Sequence, residues 1–90
     1  MLTEKQENLY DEYMTQVAVL QKQAIKAIEE ALIWHYPYLS RDEIRNGVMK
    51  RSQIVEDVVN TTDLVELSNL IEDQQDYVNE SMMKKLSENL

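Results

Sequence analysis

Glu66, Asp73, Asp76 and Glu80 are spaced so that one helix would gather their carboxylates within an arc of about 80°. Along that helix they would form a ridge about 21 Å long, with no lysine or arginine three or four residues away from Glu66, Asp73 or Asp76, and only Lys84 at that spacing from Glu80. Like charges in this register repel by a few tenths of a kcal/mol per pair. A face shaped by stability alone would interleave lysines, as Lys26 and Glu30 are interleaved earlier in the chain. The ridge, helped by Glu56 and Glu72, is therefore the candidate surface for a protein partner with a basic groove, where charge would speed encounter and fix orientation. An acidic helical rod could fill such a groove as a duplex backbone would. The same acids would also serve as a solvated face that aids solubility.

A second group has the opposite character. Trp34, Tyr36, Arg41 and Arg45 lie close in sequence, and aromatic rings beside arginines can stack a base and hold a phosphate. They form the alternative site, for a nucleotide or another anion. The competing expectation is an apolar plug at a helix corner, since Trp34 continues an apolar seam. His35 is expected at a helix C-terminus, interacting with its carbonyls.

Other chemistry lacks its parts. Ser40, His35 and Asp42 supply the residue types of a hydrolase triad, but no strained elbow or glycine-built oxyanion site accompanies them. His35 has Ala31 and Leu32 where a di-iron bundle needs glutamate. The acidic run lacks the glycine of a calcium-binding loop. With no cysteine, one histidine and one glycine in 90 residues, disulfides and thiolate zinc sites are excluded, and a glycine-rich phosphate loop is ruled out. The reading is of a non-enzymatic chain that needs no cofactor and no metal.

Helices must position these groups. Thr3 and Gln6 form a capping box for a first helix that runs to about Tyr36, where Pro37 stops it. Ser40 and Glu43 form a second box, and Asp63 with Glu66 has the spacing of a third. The second segment continues to about Asn60, with a kink or break expected between Asn46 and Ser52. Its apolar residues Ile44, Val48, Ile54, Val55, Val58 and Val59 are expected on one face, and the third helix runs from about Leu64 nearly to the end of the chain. On that last helix Leu64, Leu67, Leu70, Ile71, Val78 and Met82 form the apolar face, and Met82 and Met83 are expected to close the end of the bundle.

In the first helix, Tyr10, Tyr13, Val17, Leu20, Ala24, Ala27, Ala31 and Trp34 follow a heptad seam. A second stripe beside it widens the apolar arc to roughly 200°, more than a surface helix needs. At 1.5 Å per residue this helix is roughly 50 Å long, beyond the roughly 30 Å diameter of a compact chain of this size. The expected fold is one all-α domain over residues 1–90, an elongated antiparallel bundle of three helices. Self-association as a homodimer or higher oligomer would use the seam from Tyr10 to Ala31, where alanines permit close approach.

The net charge is −8, and residues 52–83 hold eight acids and no base. Direct binding to nucleic acid is not expected of such a chain. Its longest apolar run is far short of the roughly 20 residues of a membrane span, and its first residues lack the order of a signal peptide. A cytoplasmic protein is expected, acting in the host cytoplasm if the chain is viral. In composition alone the chain resembles phage-encoded inhibitors of host proteins, which implies an inhibitor or adaptor and transfers no residue role. A structural assembly subunit is the third class.

Overall fold

A closed capping box starts the first helix. In the computed structural model, which describes residues 1–89, the Gln6 backbone N–H donates to the Thr3 hydroxyl at 3.2 Å. The Thr3 N–H in turn donates to the Gln6 side chain at 2.9 Å. Helix α1 spans Glu4–His35, 32 residues, and ends at Tyr36 just before Pro37. Ser40 and Glu43 close a second box at 3.1 Å in both directions. The helix this box starts, α2, keeps α-helical form only over Arg41–Glu43. It loosens into a π turn, Ile44–Val48, and tightens into a 3-10 turn, Met49–Arg51. Asn46 and Gly47, both poor helix formers, lie in the π turn.

Ser52 takes an extended conformation, φ −82° and ψ 123°, and its side chain caps the next helix, α3 (Gln53–Asn60). The break thus falls inside the interval where the sequence allows one. It also changes which residues face inward. Ile44, Met49 and Val58 are buried, whereas Ile54 and Val59 are about half exposed. The turns and the extended Ser52 between them reset the helical phase, so one wheel cannot describe both halves.

Helix α4 spans Leu64–Glu88. The Asp63 carboxylate accepts from the backbone N–H groups of Val65 and Glu66 at 3.0 and 3.2 Å. The expected return arm of the box is absent, because the Asp63 N–H donates to the Thr61 hydroxyl and that hydroxyl donates to Glu66. Thr61 thus stands between the two ends of the box.

Cross-chain bonds set the course of these elements. Along α1, Glu29 meets Arg45 and Gln21 meets Val58, so the segment 41–60 is met in reverse order. Tyr13 donates to the Thr62 carbonyl and His35 bonds to Tyr77, so α4 is met in forward order. The core lies where the elements overlap: Val17, Ala24 and Ile28 of α1 against Val58 of α3 and Leu67 of α4.

This core bears on two expectations about apolar residues. Val17, Ala24, Ala27 and Ala31 are buried by the chain's own elements, so most of the expected self-association seam is occupied within one copy. Leu20 is half-buried against the same core, Tyr13 is used on Thr62, and Tyr10 stays exposed. Met82 and Met83 close nothing: they are 46% and 67% exposed on the far part of α4, beyond the last core contacts.

The molecule is long, with extents of 60 × 27 × 16 Å and a radius of gyration of 16.6 Å. A compact chain of this length would have about 12 Å. Every regular element among the described residues is helical, and none is long and apolar enough to cross a membrane.

Candidate functional site

The acids of the ridge come from two helices. Glu56 lies on α3, and Glu66, Glu72, Asp73, Asp76 and Glu80 lie on α4; all six are exposed. Among the described residues the ion pairs are those of Glu29 with Arg41 and Arg45, so none of the six is joined to a base. The Glu66 carboxylate accepts from the Thr61 hydroxyl at 3.3 Å.

Between α3 and the first half of α4 runs a groove of about 620 Å³. Ile54, Val65 and Leu70 line it, together with Asp57, Asp63, Glu66, Asn69, Asp73 and Gln74. Glu66 and Asp73 therefore belong to both ridge and groove, while Asp76 and Glu80 continue the line along α4. Asp57 accepts from the Gln53 side chain at 3.0 Å, and Asp63 is committed to its cap. The groove combines carboxylates that no base pairs among the described residues with exposed apolar surface. Val65 is 68% exposed and Ile54 48%.

The aromatic and arginine residues are not assembled as a base-and-phosphate site. Arg41 and Arg45, one helical turn apart, both face Glu29, a carboxylate of the chain itself. Arg45 grips it as a fork, Nε on Oε1 and a terminal nitrogen on Oε2 at 3.3 Å, and Arg41 approaches to 3.8 Å. Such two-point pairing is among the stronger ion pairs. The Glu29 side chain is 9% exposed, against 53% and 54% for the two arginines. The Arg45 hydrogen bond, followed by the charges of Arg45 and Arg41, holds the Glu29 carboxyl below its ordinary value despite burial, and Arg45 is raised in return. Trp34 is half-buried near the end of α1, and the Tyr36 ring lies edge-on to His35 and Tyr38. His35 does end α1, but its ring bonds to the Tyr77 hydroxyl rather than to helix carbonyls.

Two polar anchors lay outside the sequence reading. Glu29 is one: it follows Ile25 by four residues and precedes Leu32 by three, a carboxylate set into an apolar stripe. Gln21 is the other, its amide reaching the carbonyls of Val58, Val59 and Thr61 at 3.2, 3.4 and 3.0 Å. These are orphan acceptors at the end of α3 and just beyond it. The spacing around Glu29 was a usable signal, whereas nothing local marks Gln21.

No protein-family model, no curated protein and no solved structure matches the chain.

Proposed function

We propose that the protein is a non-catalytic binder, an adaptor or inhibitor, that captures a protein partner by its basic surface. The acid face of α4 carries this reading. Glu66, Asp73, Asp76 and Glu80 stand exposed on one line, no base occurs in residues 52–83, and none of the four is joined to a cation among the described residues. On a partner that ordinarily holds nucleic acid, such a rod would compete for the phosphate-binding groove. The chain itself would not bind nucleic acid, and its place of action would be the cytoplasm.

Capture from host cytosol before and after reversal of Glu66, Asp73, Asp76 and Glu80 to lysine tests the reading. Loss of capture with an unchanged helical circular-dichroism spectrum supports it; capture that survives both the reversal and concentrated salt removes the acid face from function.

The finer architecture belongs to the same proposal: an elongated three-helix bundle, broken in its middle helix, that self-associates. With Val17, Ala24, Ala27 and Ala31 already buried, a second copy would meet the exposed part of α1 around Leu9 and Tyr10. Light scattering across a concentration series reads this directly, and a mass that stays at one copy overturns it.

A further inference from the structure

We infer that the groove between α3 and α4 is a seat for an amphipathic helix of a partner protein, one that carries lysine or arginine beside an apolar row. The inference rests on the acid-face reading above and narrows it from a basic surface of any shape to one recognition element. Two properties of the groove point there together. Ile54 and Val65 expose large apolar side chains within it, beside the half-buried Leu70. Such residues bring no benefit to a flat electrostatic contact, but they are the counterpart of an apolar helix row. Asp57 on α3 and Glu66 and Asp73 on α4 line the same groove, and none of the three is joined to a base among the described residues.

Charge therefore selects the occupant. An acidic or neutral amphipathic helix would leave these carboxylates facing apolar or like-charged groups, whereas lysines or arginines flanking the row would pair with them as the leucines seat. A second copy would not supply that helix from its most basic segment. Its densest basic stretch, 41–51, has Arg41 and Arg45 engaged on Glu29 and two of its apolar residues, Ile44 and Met49, buried in the same molecule.

Fluorescence anisotropy with two synthetic probes tests the inference. One is an amphipathic helix of leucine and lysine; the other is a lysine, glycine and serine peptide of equal charge. At physiological salt the wild-type chain is expected to hold the leucine–lysine helix at least about tenfold more tightly than the other peptide. Ile54→Ser with Val65→Ser should remove that preference, while Val19→Ser, an exposed apolar residue on α1, should leave it intact. Val65→Ser alone carries the comparison if the double variant loses helical signal, because Val65 is the more exposed of the pair.

Equal affinity for the two probes, or a preference that survives both serine variants, overturns the groove as a helix seat. If reversal of Glu66, Asp73, Asp76 and Glu80 to lysine still abolishes capture in that case, the acid-face reading stands without the groove. If it does not, both fail. Sedimentation showing that the serine variants abolish self-association, with no preference for either probe, would assign the groove to a second copy and likewise overturn the inference.

Discussion

Among the described residues Glu29 is the one buried charged side chain, and its position decides what the neighbouring arginines can do. A carboxylate taken out of water needs partners that outweigh its lost hydration. Arg45 supplies a fork and Arg41 a second positive charge, which joins the segment 41–51 to α1. Glu29→Gln keeps the shape and one acceptor but removes the charge. Because both arginines are half exposed and can turn to water, the expected loss is about 1–2 kcal/mol, below that for a fully buried pair. Urea unfolding measures it. The pH dependence has a definite sign. The folded chain holds Glu29 below the ordinary value of 4.5, so the unfolded chain takes up the proton first as pH falls. The pair's contribution is complete above pH 4.5 and is lost as pH drops through the lower folded value. Glu29→Gln should therefore flatten the acid limb of the stability profile. The exposed and buried leucines of α4 differ just as sharply. Leu67, 1% exposed, should cost about 2–5 kcal/mol on change to alanine, and Leu86, 62% exposed, within about 0.5 kcal/mol.

At the scale of the helix, ends were easier to read than faces. Thr3 with Gln6 and Ser40 with Glu43 act as the local pattern dictates, because a capping box is made within four residues and needs nothing from the rest of the chain. Asp63 caps α4, but Thr61 enters between it and Glu66, which two-residue spacing cannot reveal. Faces depend on partners. The heptad from Tyr10 to Trp34 is continuous in sequence, yet only its middle is buried, because the other helices overlap α1 only from about Tyr13 onward. Likewise, the valines after Ser52 fall on a new phase once the π and 3-10 turns intervene. The acid line of α4 was legible because exposure asks only for spacing. The groove beside it was not, since it depends on where α3 lies. Gly47 offers a test of the irregular segment. Its φ is not positive, and a Cβ added there meets nothing within 4 Å. Gly47→Ala should therefore stabilise by about 0.5–1 kcal/mol, mainly by restricting the unfolded chain. Thermal unfolding checks it, and a destabilised variant would mean that the π turn requires glycine.

Over the whole molecule, shape and charge act together. A body 60 Å long presents its eight unbalanced acids of residues 52–83 on α3, α4 and the turn that joins them, while its bases are gathered mainly on α1 and in the segment 41–51. The field is consequently one-sided, and it should orient a basic partner before contact. Salt separates this steering from contact energy. The Debye length is about 30 Å at 0.01 M and about 8 Å at 0.15 M, so at low salt the roughly 21 Å acid line acts as a unit. At physiological salt each carboxylate acts only on its near neighbours. Stopped-flow measurements with the leucine–lysine helix should show association slowing by about tenfold or more over that range, with dissociation changed much less. The variant carrying lysine at 66, 73, 76 and 80 should lose the slope along with the rate. An association rate indifferent to salt would mean that the acids do not steer, and the one-sided field would then matter only for keeping so elongated a molecule in solution.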